Sequence, residues 1–115
     1  MKQDTPVTVI CRYLVKPGHE AEMEALLAKH WPALHGVGLT TDEPPRIYKG
    51  LPSPKPGGEH GAERVYVEVF AWKDAAAPQT AHQLPEVMAV WEPMGAVCDD
   101  MDFPHYLPLD LVTAQ

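Results

Sequence analysis

The sequence lacks asparagine altogether and has a single serine, Ser53. Without asparagine there is no N-glycosylation acceptor and no site that needs an Asn side chain. A serine-nucleophile mechanism would have to use Ser53, which stands in a Pro/Gly-rich loop. Cysteine is scarce too: Cys11 and Cys98 do not make a disulfide scaffold, which favours a reducing, cytoplasmic setting. Positive charge is in short supply, with nine Lys+Arg against sixteen Asp+Glu and a net charge of −7. That disfavours nucleic acid and anionic membrane as partners. No apolar run approaches the roughly 18–20 residues that span a bilayer, and Met1-Lys2-Gln3-Asp4 opens no signal sequence.

What is abundant is proline, with thirteen in 115 residues, and the chain is 45% hydrophobic. Such a length predicts one domain, with its core over about 7–107 and a tail over 108–115. The prolines require helices to be short or to begin at a proline.

Val7 to Val15 is β-branched and aromatic and reads as a strand. Lys16-Pro17-Gly18-His19 is a turn. From Glu20 the period becomes helical, with Met23, Leu26, Leu27, His30 and Leu34 on one stripe. Pro32 disfavours helix at Trp31, so the helix is expected to end near His30. Arg46 to Gly50 is a second strand, and Leu51 to Ala62 a connection that could serve as a lid. Arg64 to Trp72 is the clearest strand, and large apolar groups occupy both of its faces. In so small a protein that suggests a dimer or a barrel interior. Asp74 caps a short helix over Ala75–Leu84. Pro85 begins another, which Pro93 should kink or end. Cys98 to Tyr106 is a last strand, with Met101, Phe103 and His105 on one face and Asp100 and Asp102 on the other.

The order is β-α-β-β-α-β, the ferredoxin-like α+β pattern of an antiparallel sheet with helices on one face. Within it the segments Tyr13-Leu14-Val15-Lys16-Pro17-Gly18, Val67-Glu68-Val69-Phe70-Ala71-Trp72-Lys73-Asp74 and Ala81-His82-Gln83-Leu84-Pro85 resemble antibiotic-biosynthesis-monooxygenase-type domains, over roughly Val7 to Leu107. The resemblance implies a homodimeric α+β barrel with a pocket between sheet and helices. It implies cofactor-free oxidation of phenolic or quinol compounds, or a member with no activity. It also departs from the family. Glu86 stands where a histidine often follows the motif's proline. The haem-degrading branch, which relies on an asparagine, does not fit.

His82 matches the motif histidine and is the candidate catalytic base: a neutral imidazole there could take a proton from a phenol or enol. Glu68, mid-strand among Tyr66, Phe70 and Trp72, needs a partner, and Arg12 on the neighbouring strand is the expected one. Arg12, Tyr66, Glu68, Phe70, Trp72, Trp91 and Met94 are the candidate substrate-binding residues, for a small apolar or aromatic molecule. Aromatic stripes of this kind also build plain cores, and a lone histidine also serves as a helix anchor. His105 with Asp99, Asp100 and Asp102 is a weak metal signal. No histidine pair has ligand spacing, so no metal is expected, and the resemblance implies that no cofactor is bound. A non-catalytic ligand-binding dimer, or an isomerase or lyase using the same pocket for proton transfer, remains open on these residues.

Overall fold

The computed structural model describes residues 5–51 and 63–109. Ser53, His60 and most of the expected lid lie outside the described residues.

Strand β1 (Val7–Val15) alternates as its composition requires. Val7, Val9, Cys11, Tyr13 and Val15 are buried on one face, while Thr8, Ile10, Arg12 and Leu14 occupy the other. Gly18, at φ +85°, turns the chain in the left-handed region that favours glycine. Helix α1 (Glu20–Gly36) then begins with Glu20 and Glu22 in its first turn, where acidic side chains favour the helix dipole. It buries Met23, Leu27, His30 and Leu34 on one stripe.

The helix does not end near His30 but runs through Pro32 to Gly36. Pro32 frees the carbonyl of Ala28, and both residues are exposed, so water can satisfy that carbonyl. Leu34, fully buried, holds the last turn against the sheet. Just beyond the helix Gly38 (φ +78°) turns the chain, and the Leu39 amide donates to the Leu34 carbonyl at 3.1 Å.

Strands β2 (Arg46–Lys49) and β3 (Val65–Trp72) follow, then the short α2 (Ala77–Ala81) and α3 (Pro85–Ala96). Asp74 accepts from the amides of Ala76 and Ala77 at 3.0 Å each, so it secures the start of α2, which is shorter than expected. Leu84 is extended, as the residue before Pro85 should be. Pro93 does not end α3, which continues to Ala96 with Met94 buried and the freed carbonyl of Ala89 on the exposed side.

The expected last strand is divided into β4 (Cys98–Asp102) and β5 (His105–Tyr106). Phe103-Pro104 separates them, because proline has no amide to give the ladder. The Pro104 carbonyl still accepts from Ile10 at 3.0 Å, which keeps β5 beside β1.

The sheet order is β2-β3-β1-β4, with every pairing antiparallel. This is the ferredoxin-like α+β arrangement. The face that packs on α1 and α3 carries Val9, Cys11, Tyr13, Tyr66, Glu68, Phe70 and Trp72, all buried. The opposite face carries Ile10, Leu14, Val65, Val67 and Val69, only half-buried, and no helix of the described residues covers it. No helix is long and apolar enough to cross a membrane among the described residues.

Candidate active site

A cavity of about 290 Å³ lies between the helix-facing side of the sheet and α3. Its floor is Val9, Cys11 and Tyr13 of β1 with Phe70 and Trp72 of β3. Met88, Trp91 and Met94 of α3 form one wall, because helical spacing puts them on the sheet-facing side. Pro78 and His82 close one end; Met101, Phe103 and His105 close the other. Phe70 meets Trp72 edge to face with centroids 5.2 Å apart, and Trp72 meets Trp91 at 6.5 Å. These rings line the slot between sheet and helix.

Beneath the floor is a buried polar network. The Glu68 side chain has no solvent exposure. Its Oε1 accepts from the Tyr13 hydroxyl at 2.9 Å and lies 2.8 Å from His30 Nδ1. His30, also buried, reaches in from α1 and lines the cavity. Its Nε2 lies 2.7 Å from Trp91 Nε1. An indole N–H can only donate, so His30 Nε2 is the acceptor. The ring hydrogen therefore sits on Nδ1 and donates to Glu68. Trp91, His30 and Glu68 form one directional chain, with Tyr13 as a second donor to the carboxylate.

Glu68 Oε2 is buried with no hydrogen-bond partner among the described residues. Burial, together with Cys11 and the Glu68 carboxylate, pushes the Tyr13 hydroxyl up and keeps it a donor. Burial first and Glu68 second push the Cys11 thiol up to about 12, so it is no thiolate nucleophile.

The sequence-based candidates divide into two groups. His82, Phe70, Trp72, Trp91 and Met94 come together around the cavity. His82 is exposed at its edge, with its ring 4.7 Å from that of Trp91. Glu68 stands behind the cavity wall as the anchor of His30. Arg12 and Tyr66 do not join them. Cys11, not Arg12, is the residue opposite Glu68, so Arg12 lies on the open face and no Arg12–Glu68 pair forms. Arg12 sits beside Asp102 there. The Tyr66 hydroxyl donates to Glu24 at 2.5 Å, in a cluster with Lys49 outside the cavity.

His30 is the residue that the sequence reading did not single out. It occupies an apolar stripe position between Leu27 and Leu34, and a histidine there must find a buried partner. That was its signal, and Glu68 was the one mid-strand carboxylate also in need of a partner. Among the described residues no group of three His, Cys, Asp or Glu side chains could hold a metal ion.

These features define a class: an antiparallel α+β sheet with an aromatic cavity against its helices and a buried carboxylate–imidazole pair at the cavity wall. No protein-family model matches the sequence, and no curated protein does. Solved structures do match the fold. SnoaB, a cofactor-independent oxygenase from Streptomyces nogalater, has a TM-score of 0.70 at 16% identity over 94% of this chain and 97% of that one. A presumed antibiotic biosynthesis monooxygenase from Bordetella bronchiseptica has 0.69 at 18% identity over 92% and 99%. PA3566 from Pseudomonas aeruginosa has 0.69 at 14% identity over 96% and 100%. The chain thus has the antibiotic-biosynthesis-monooxygenase-like fold. SnoaB has also been solved with an asparagine changed to alanine; this chain has no asparagine to place at any site.

Proposed function

We propose that this protein is a homodimeric, cofactor-independent oxygenase of a small phenol or quinol, held in the cavity against Phe70, Trp72, Trp91 and Met94. The observation that carries the reading is an aromatic-walled slot with a carboxylate-oriented imidazole on its surface. Neither feature alone would suffice: a slot without a proton acceptor only binds, and a buried histidine without a slot only packs.

The chemistry asks little of the protein. A wall imidazole takes the phenolic proton, leaving an electron-rich phenolate in an apolar setting. The phenolate passes one electron to O2. Superoxide and the phenoxyl radical join at a ring carbon, forming a C–O bond. The distal oxygen then leaves as water, taking the ring proton and the proton returned by the imidazolium, giving the quinone. The sum is phenol plus O2 to quinone plus water. His82, edge-on to Trp91 at the cavity's edge, closes on the bound ring.

The fold neighbours support this reading through SnoaB. The uncovered apolar sheet face supports the dimer, since two such faces packed together would bury Ile10, Leu14, Val65, Val67 and Val69. Oxygen uptake with a panel of naphthols and hydroquinones tests the activity. Stoichiometric uptake with quinone formation is expected. Tight binding of the same compounds without uptake would leave a ligand-binding protein in place of the enzyme.

A further inference from the structure

We propose that His30, oriented by Glu68, is the base that receives the substrate proton, and that the Trp91 indole is a latch which must first leave His30 Nε2. This rests on the cavity being the site for a phenol.

Three imidazoles line the cavity, and their surroundings differ: His105, like His82, is exposed, whereas His30 is not. His82 is exposed and meets Trp91 through ring contact. His30 is buried, with its tautomer fixed at both nitrogens by the 2.8 Å contact to Glu68 and the 2.7 Å contact to Trp91. This is the arrangement in which a carboxylate holds a histidine with its far nitrogen presented for proton transfer. Glu68 supplies more than orientation. It is a fully buried carboxylate with two neutral donors on Oε1 and none on Oε2. Such a charge is costly to bury without a cation. A proton arriving on His30 Nε2 makes the ring an imidazolium and gives Glu68 its counter-charge. The network lacks one positive charge, and the substrate's proton supplies it.

Trp91 explains why solvent does not supply that proton first. While the indole N–H points at Nε2, the lone pair is occupied. Trp91 is only half-buried and belongs to the cavity wall. A phenol entering the slot presents an O–H that competes for the same lone pair. Once it wins, the phenolic O–H bond breaks, the proton moves to Nε2, and the electron pair stays on the phenolate oxygen. The displaced indole N–H is then a donor for that oxygen. The step is a proton transfer within the cavity, and no oxidant takes part in it.

The test uses 4-nitrophenol, whose phenolate absorbs at longer wavelength than the neutral form, with the full-length protein under anaerobic conditions. At a pH where the free phenol is mostly neutral, binding to the wild type should raise the phenolate band. His30→Gln and Glu68→Gln, which keep size and polarity, should still bind but lower the phenolate-to-phenol ratio by about tenfold or more. Trp91→Phe removes the latching N–H but keeps an aromatic wall, and should bind more tightly than wild type. Near-ultraviolet circular dichroism identifies any variant that has lost its fold; if His30→Gln has, Glu68→Gln and Trp91→Phe decide. Binding only as the neutral phenol overturns the base assignment and leaves the phenol site standing. A phenolate band that survives in His30→Gln and disappears in His82→Ala also overturns it. No binding at all overturns the phenol site and the assignment together. Weaker binding by Trp91→Phe overturns the latch.

Discussion

The two faces of one sheet have been put to opposite uses. The helix-covered face hides its polar groups: Tyr13 and His30 are buried in the wall of an apolar cavity, and both bond to the buried Glu68. The open face shows the reverse order. Its valines and Ile10 are half-exposed, and its charges, Arg12 and Asp102, sit side by side in register where water can reach them. On the first face a single charge is costly and therefore highly directional. On the second, charges contribute little and apolar area is the resource. On the proposed reading, proton chemistry belongs to the first face and assembly to the second.

The largest expected effect is on the covered face. His30→Leu leaves Glu68 buried without its ring donor and should cost about 3–5 kcal/mol in urea unfolding. Adding Glu68→Leu should recover much of that loss, since the stranded charge is gone. A single variant as stable as wild type would show that the carboxylate does not depend on the ring. On the open face, Val67→Asp places a new carboxylate opposite Arg12 in the register. It should leave the monomer within about 1 kcal/mol of wild type but abolish a dimer built on that face. Light scattering reads this directly, and a wild type that is already monomeric at micromolar concentration removes the barrel.

A subtler difference is in pH response. The Cys11 thiol is pushed up to about 12 from 9.0, chiefly by burial. Above pH 9 the unfolded chain loses this proton while the folded chain keeps it. Stability should therefore fall as pH rises from 9 towards 12, and Cys11→Ala should flatten that slope. Native Cys11 should likewise resist alkylation at pH 8 and react once the chain is unfolded. The smallest effect is expected at the surface. The Tyr66 hydroxyl, then Lys49, holds Glu24 below the usual carboxylate range. Its contribution is present above the ordinary glutamate range and fades as pH falls. Tyr66→Phe should lift the Glu24 titration seen by NMR and barely move Tm.

Much of the fold is legible in the sequence because alternation and helical spacing are local signals. β1, β3 and the start of α3 at Pro85 follow directly from them. Pro32 and Pro93 mislead because the cost of a helical proline depends on whether the freed carbonyl faces water, and that is set by packing. The site is harder to read for a related reason. Arg12 and Glu68 are on adjacent strands, but register decides the face, and a shift of one residue puts Cys11 opposite Glu68 instead. His30 is visible only as a polar residue on an apolar stripe. Its meaning depends on Glu68, which is 38 residues away.

The central claim is that a neutral His30, with its hydrogen on Nδ1, waits at the cavity wall between Glu68 and Trp91. Nitrogen-15 NMR of the histidine rings tests it most directly. The account predicts that His30 is in the neutral Nδ1–H tautomer, with Nε2 shifted by an accepted hydrogen bond that disappears in Trp91→Phe. An Nε2–H tautomer or an imidazolium at His30 in the ligand-free protein would contradict it.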